Sequence, residues 1–157
     1  MKRTVYLETS IVSYLTARLS SDIITAGHQL TTLDWWETQR EKFDVLASEL
    51  VIQEAALGDT QMAQKRLEVL NGIEILAVTS EARDLAKTLV AKNALPQKAA
   101  LDALHISIAA VEKVDFLATW NFKHIANARM KAKIEEAIRA EGFAPSQICT
   151  LEELSGE

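Results

Sequence analysis

The chain has 157 residues, the length of one domain, and its 48% apolar and 25% charged residues exclude a disordered or fibrous protein. One cysteine excludes an internal disulfide framework, and no run reaches the ~20 apolar residues of a membrane span. A net charge of −5 argues against a non-specific nucleic-acid coat, although not against a nuclease whose acids bind cations. The N-terminus lacks the apolar core of a signal peptide. We therefore expect one cytoplasmic domain over residues 1–157.

In chain order, the first segment, Thr4–Leu7, is β-branched and aromatic and predicts a buried strand. The hydroxyls of Thr9 and Ser10 then favour the start of a short helix. After a polar break, a longer helix is predicted over about Thr25–Lys42. Its expected apolar side consists of Leu30, Leu33 and Trp36, with Trp35 as a further candidate. The adjacent tryptophans point about 100° apart on a helix, so we expect core positions for both, with a partner interface as the alternative for one.

The rest of the chain continues this alternation of strands and helices. The predicted elements are a strand Phe43–Ala47, helices Glu49–Leu57 and Thr60–Leu70, a strand Ile75–Val78, helices Thr79–Asn93 and Ala99–Lys113, a strand Phe116–Thr119, a helix Ala126–Glu141 and a short edge strand Ser146–Thr150. Strands separated by helices form parallel βαβ units. The predicted fold class is α/β, a three-layer α/β/α sandwich around a mostly parallel sheet of four or five strands.

Candidate chemistry lies where the strands end, because ligands of open α/β sheets bind outside the carboxyl ends of the strands. Glu8 directly follows the first predicted strand, and Asn121 follows the fourth by two residues. Glu54 lies on the helix after the second strand. Glu49 lies on the same helix and is the alternative acid for this position. These positions predict that polar side chains from several strand ends converge.

Asp102 is a different kind of candidate, because the helix around it is apolar on almost every side. Burying a carboxylate there is costly unless it is paired, hydrogen-bonded or bound to a cation. Lys98 is the only basic residue at a suitable helical spacing, and a first-turn acid that interacts with the helix dipole is the structural alternative. Converging acids repel, and hard oxygen ligands with few histidines favour Mg²⁺ or Mn²⁺ over Zn²⁺.

Four segments in order resemble the landmarks of the PIN domain, and most closely the VapC-type toxins of bacterial toxin–antitoxin systems. They are Val5–Ile11, Ser48–Glu54, Asp102–Ile106 and Leu117–Phe122. The resemblance covers nearly the whole chain. It implies a PIN-like fold, ribonuclease activity that depends on magnesium or manganese, a paired antitoxin protein and a homodimer.

The resemblance also assigns roles to individual residues. Glu8, Glu54 and Asp102 take the places of the three acids that hold the metal, and Asn121 takes the fourth position of the metal site. Ser10 and Thr119 would lie around the first acid and contact it without binding the metal themselves. Two departures weaken the expected site. Glu8 replaces an aspartate and is longer by one C–C bond, roughly 1.5 Å, and Asn121 replaces a residue that is often aspartate, so that a charge is lost.

Other chemistry-bearing residues have a structural explanation of at least equal weight. His105 is a possible donor to the site but is more simply a core histidine, and His28 and His124 have no partner that the sequence identifies. Cys149 is expected to be a small buried hydrophobe. The basic run Lys123, His124, Arg129, Lys131 and Lys133 could steer an RNA backbone, or it could be a solvated helix face with Lys131 paired to Glu135.

Three classes of function are compatible with these features of the sequence. The first is a metal-dependent endoribonuclease with a water nucleophile, and the second is a non-catalytic PIN-like binding module with a weakened metal site. A receiver-like or phosphatase-like domain is the third, but it requires an aspartate where Glu8 stands. No P-loop or glycine-rich dinucleotide motif is present in the sequence.

Overall fold

A computed structural model describes residues 1–156, in which strands and helices alternate along the chain. The elements are β1 (Arg3–Leu7), α1 (Thr9–Thr16), α2 (Ile23–Thr38), β2 (Phe43–Ser48), α3 (Glu49–Ala55), α4 (Thr60–Leu70), β3 (Glu74–Leu76), α5 (Ser80–Ala91), α6 (Ala100–Val111), β4 (Phe116–Ala118), α7 (Ala128–Ala140) and β5 (Gln147–Cys149). Short 3-10 turns occur at Arg40–Lys42 and Gln97–Ala99. None of the helices within residues 1–156 has the length and apolar character that a membrane span requires.

The five strands form one sheet in the order β3-β2-β1-β4-β5, and every neighbouring pair is parallel. The predicted α/β class is therefore confirmed. β1 is the central strand, so the residue that follows it lies between the ends of β2 and β4. This topology brings three strand ends together at one edge of the sheet.

The central strand is buried on both faces, as expected for a parallel sheet covered by helices. Val5 and Leu7 point to a hydrophobic cluster that contains Trp35 of α2. Tyr6 points to the opposite side, into a larger cluster that includes Leu85 of α5 and residues of α6 and α7. Because side chains alternate along a strand, β1 joins the two hydrophobic layers of the sandwich.

The prediction of which side of α2 faces the core is wrong. Leu30 and Leu33 are 56% and 39% exposed, whereas Trp35 is fully buried. The inward side also carries the polar residues Gln29 and Thr32. Gln29 donates to the Arg18 carbonyl and accepts from the Ser20 amide, and the Thr32 hydroxyl accepts from the indole N–H of Trp120. These hydrogen bonds permit polar residues to be buried, which a pattern of hydrophobicity cannot reveal.

The second tryptophan of the pair is only half-buried. Trp36 packs under the guanidinium of Arg40, which lies 4.2 Å from the ring centroid. Arg40 belongs to the 3-10 turn that ends the region predicted as one long helix. Trp35 is thus a core residue, and Trp36 is a surface residue that is covered on one face.

We predict different stability losses for the two adjacent tryptophans. Trp35→Ala removes a fully buried ring and should lower the free energy of unfolding by about 3–5 kcal/mol. Trp36→Ala removes a half-buried ring that packs against the edge of the same cluster and under Arg40, so it should cost less, about 1–2 kcal/mol. Urea unfolding monitored by circular dichroism measures both values, and equal losses would contradict the assignment of Trp35 to the core.

Candidate metal centre

The carboxyl edge of the sheet collects polar groups from the three central strands. Glu8 follows β1, Ser48 is the last residue of β2, and Thr119 follows β4. The backbone ladder continues past the strand ends, because the Glu8 amide donates to the Ala118 carbonyl over 3.1 Å. The two residues that follow β1 and β4 are therefore held side by side.

Glu8 lies at the centre of this edge, with its side chain almost excluded from solvent at 6% exposure. Its Oε1 accepts hydrogen bonds from the hydroxyls of Ser10, at 2.5 Å, and Thr119, at 2.6 Å. Its Oε2 accepts the Ser10 amide at 3.2 Å, so the carboxylate caps the N-terminus of α1. The Glu8 side chain thus folds back toward the start of α1, which accommodates the additional C–C bond that glutamate has compared with aspartate.

The two hydroxyls that contact Glu8 also hold the loop after β4. The Ser10 hydroxyl accepts the Trp120 amide at 2.8 Å, and the Thr119 hydroxyl accepts the Asn121 amide at 2.9 Å. Each hydroxyl accepts from the backbone and donates to the carboxylate. The loop over residues 119–121 is therefore positioned by the same groups that orient Glu8.

Glu54 approaches from α3, where Ser48 caps the helix by accepting the Val51 amide. Its Oε1 accepts from the Thr9 hydroxyl and from Nε2 of His105, at 2.5 and 2.6 Å. Burial alone would raise the pKa of Glu54, but the hydrogen bonds that His105 and Thr9 donate to its carboxylate lower the pKa below its ordinary value. Glu54 is therefore an ionised carboxylate at neutral pH.

Glu8, Glu54 and His105 each place one potential ligand atom within 4.8 Å of the others. Within residues 1–156, neither glutamate forms an ion pair with a lysine or arginine. The nearby donors are hydroxyls, an amide and an imidazole. Two close carboxylates with mostly neutral donors fit a divalent cation, because a cation removes their mutual repulsion.

Asp102 belongs to a second group of hydrogen bonds beside this cluster. The Asn121 amide nitrogen donates to its Oδ1 at 3.1 Å, and Nδ1 of His124 lies 3.0 Å from its Oδ2. The expected partner Lys98 makes no ion pair with it among residues 1–156. Asp102 is therefore not one of the three residues whose ligand atoms lie within 4.8 Å of one another, but Asn121 and Thr119 link it to Glu8 by hydrogen bonds.

The side-chain amide of Asn121 forms hydrogen bonds through both its oxygen and its nitrogen. Its Oδ1 accepts the backbone amide of His124 at 3.1 Å, which leaves its amide nitrogen facing Asp102. The role of Asn121 as an oxygen ligand of a metal stays a prediction. Asn121 orients the Asp102 carboxylate by donating to it.

Two histidines have hydrogen-bond partners in the site that the sequence does not reveal. His105 is only 1% exposed, as expected of a core residue, yet it also contacts Glu54. His124, for which the sequence identified no partner, contacts Asp102. The available signal was spacing: His105 follows Asp102 by three residues on α6, and His124 follows Asn121 by three residues in the next loop.

The remaining candidates have structural roles or lie at the surface. Lys131 donates to the Ile148 carbonyl at 3.1 Å and does not form the predicted ion pair with Glu135. Burial raises the pKa of the Cys149 thiol to about 12, which agrees with an inert hydrophobe. Glu49 is exposed on α3, so Glu54 is the acid of that helix which faces the cluster.

No protein-family model and no curated protein sequence matches this chain. Its structure is nevertheless similar to two solved VapC structures. One is VapBC2 from Rickettsia felis bound to a DNA fragment from its promoter, with 14% identity, a TM-score of 0.58, and coverage of 94% of this chain and 98% of that chain. The other is VapC20 from Mycobacterium tuberculosis, described as a toxin that cleaves the sarcin-ricin loop, with 12% identity, a TM-score of 0.61, and coverage of 89% and 96%.

These similarities establish the fold. At 12–14% identity over almost the full length of both chains, the shared feature is the α/β/α architecture of VapC-like PIN domains. The predicted PIN-like fold is therefore confirmed. Activity and partners do not follow from a likeness at this level of identity.

We predict that the stability contribution of Glu54 disappears in acid. Its folded-state pKa lies below its ordinary value of 4.5, so the ionised form stabilises the fold above that pH. This contribution is lost as the pH falls through the folded pKa. The difference in unfolding free energy between wild type and Glu54→Gln should therefore shrink in urea titrations from about pH 6 down to about pH 3. A difference that grows toward acid would contradict the lowered pKa.

Proposed function

We propose that this protein is a metal-dependent endoribonuclease that hydrolyses RNA phosphodiester bonds with an activated water. The observation that carries the proposal is the Glu8 carboxylate, which is 6% exposed and lies beside Glu54. Neither has a lysine or arginine partner in the described part of the chain. Such an acid pair is costly as a purely structural device, and a bound cation offsets that cost.

Glu8, Glu54 and Asp102 would hold the cation, and their carboxylate oxygens favour Mg²⁺ or Mn²⁺. When bound, such an ion polarises a phosphate and lowers the pKa of a water molecule. The residues around the acids keep them in place. Ser10 and Thr119 donate to Glu8, whereas Asn121 donates to Asp102. Asn121 is thus proposed to act on the site through Asp102.

The proposed partners rest on the similarity to VapBC2, which is a complex of a VapC protein. We propose a cognate antitoxin protein as the macromolecular partner and RNA as the substrate. The proposed contact surface for the antitoxin consists of exposed apolar side chains on α2 and the segment before it, which are Leu19, Ile23, Ile24, Leu30 and Leu33. The proposed homodimer rests on the resemblance to VapC toxins alone, and the proposed location is the cytoplasm.

A non-catalytic PIN-like binding module is the second candidate. It is favoured by Asn121, whose oxygen already accepts the His124 amide and whose amide nitrogen donates to Asp102. A site with one fewer ligand binds metal more weakly. The nuclease assay below separates the two candidates.

The proposal predicts that RNA cleavage with Mg²⁺ or Mn²⁺ depends on the clustered acids. Glu54→Gln keeps the size of the side chain but removes a charge, and it should lower the cleavage rate about 100-fold or more. The matched control is Glu49→Gln, because Glu49 is exposed on the same helix and should leave the rate within about twofold. Cleavage is measured on labelled single-stranded RNA, with chelator added in a parallel reaction.

Two outcomes would contradict the nuclease proposal. One is a purified wild-type protein that cleaves no RNA with either ion, which would favour the binding module. The other is cleavage that persists equally in Glu54→Gln and Glu49→Gln, which would indicate a contaminating nuclease or a site elsewhere.

A further inference from the structure

A chain of hydrogen bonds between buried side chains ends on the carboxylate of Glu54, and holding a metal does not by itself require the other residues of this chain. The Ser48 hydroxyl lies 2.7 Å from the Tyr6 hydroxyl, which lies 2.7 Å from Nδ1 of His105. Nε2 of His105 then lies 2.6 Å from Oε1 of Glu54. Tyr6, Ser48 and His105 are at most 1% exposed, so solvent cannot satisfy these groups. We call this chain of hydrogen bonds the Tyr6 relay, made of Ser48, Tyr6, His105 and Glu54.

The direction of each hydrogen bond follows from counting hydrogens and acceptors. The carboxylate of Glu54 can only accept, so Nε2 of His105 carries a hydrogen. The Ser48 oxygen already accepts the Val51 amide, and within residues 1–156 the only other group near the Ser48 hydroxyl is the Tyr6 oxygen. Ser48 therefore donates to Tyr6, and Tyr6 donates to Nδ1 of His105.

The reverse direction leaves a buried hydrogen without an acceptor. If Nδ1 of His105 carried a hydrogen, Tyr6 would have to donate to Ser48, and the Ser48 hydrogen would then have no acceptor in the described chain. An unsatisfied buried donor costs about 1–3 kcal/mol. The hydrogen-bond count therefore disfavours a hydrogen on Nδ1 of His105. Burial also raises the pKa of Tyr6, so its hydroxyl keeps the hydrogen that it donates.

We propose that Tyr6 is a positioning residue that fixes His105 as a neutral Nε2–H donor to Glu54, so that His105 is not a metal ligand. The statement about the metal rests on the proposed function. The statement about the tautomer stands on the hydrogen bonds alone.

The hydrogen bonds to Glu54 also differ between its two oxygens. The Thr9 hydroxyl and His105 both donate to Oε1, and no described residue donates to Oε2. Oε2 is therefore the oxygen that is free to bind an ion. With His105 occupied as a donor, the ligand set consists of oxygens, which favours Mg²⁺ or Mn²⁺ over the softer Zn²⁺.

Nitrogen NMR of the histidine side chains tests the tautomer directly. In metal-free ¹⁵N-labelled protein near pH 7.5, the expected His105 signals are a pyridine-like Nδ1 and a pyrrole-like Nε2, assigned with His105→Gln. Tyr6→Phe removes only the hydroxyl, so Nδ1 loses its donor and the His105 spectrum should become a mixture of states. Tyr14→Phe is the matched control, since no described residue hydrogen-bonds to the Tyr14 hydroxyl, and it should leave the spectrum unchanged.

A titration with Mg²⁺ then tests the role toward the metal. The Nε2 hydrogen of His105 should persist in wild-type protein at saturating Mg²⁺. The affinity for Mg²⁺ should fall about tenfold in Tyr6→Phe, as for other groups that orient a ligand, and by less than about twofold in Tyr14→Phe.

Several results would overturn the proposal. They are an Nδ1–H or doubly protonated His105 in the wild-type protein, an unchanged spectrum in Tyr6→Phe, or loss of the Nε2 hydrogen when Mg²⁺ is added. The wild-type spectra decide the tautomer even if a variant fails to fold. Failure of the proposed function looks different: RNA stays intact while the His105 spectrum is the expected one.

Discussion

The rest of the site depends on one constraint, the close approach of a buried carboxylate, Glu8, and a half-buried one, Glu54, without a lysine or arginine to neutralise them. Potential ligand atoms of Glu8 and Glu54 lie within 4.8 Å, a separation at which two charges repel by about 3–4 kcal/mol at an effective dielectric near 20. Hydrogen bonds to a charged group contribute roughly 1.5–3 kcal/mol each. The donors around the two acids can therefore sustain the fold without metal, and a bound cation would stabilise the fold further.

The same donors connect the acids to the fold. Ser10 and Thr119 bind Glu8 through their hydrogens and the backbone of the β4 loop through their oxygens. On the other side, the Tyr6 relay runs from the end of β2 through β1 and α6 to Glu54. Misplacement of the central strands would therefore displace the acids, and the acids cannot relax apart without breaking hydrogen bonds that hold the strand ends.

The sequence predicted the elements well, because periodic apolar segments and helix caps are local signals. All five strands and the Ser48 cap lie within a few residues of their predicted positions. The inward side of α2 was not predictable, since Gln29 and Thr32 are buried through partners distant in sequence. The same reason hid the partners of His105 and His124. Hydrophobic patterns indicate where strands and helices lie, whereas buried polar residues and their hydrogen-bond partners depend on the packed fold.

The central claim is that Glu8 and Glu54 bind one cation with oxygen ligands, and crystals soaked in Mn²⁺ test it most directly. Mn²⁺ substitutes for Mg²⁺ and gives an anomalous signal that identifies the ion. The account predicts an anomalous peak that contacts a carboxylate oxygen of both Glu8 and Glu54, with His105 still bonded to Glu54. The account would be contradicted by the absence of a peak between these two carboxylates at saturating Mn²⁺, or by an ion bound through Nε2 of His105.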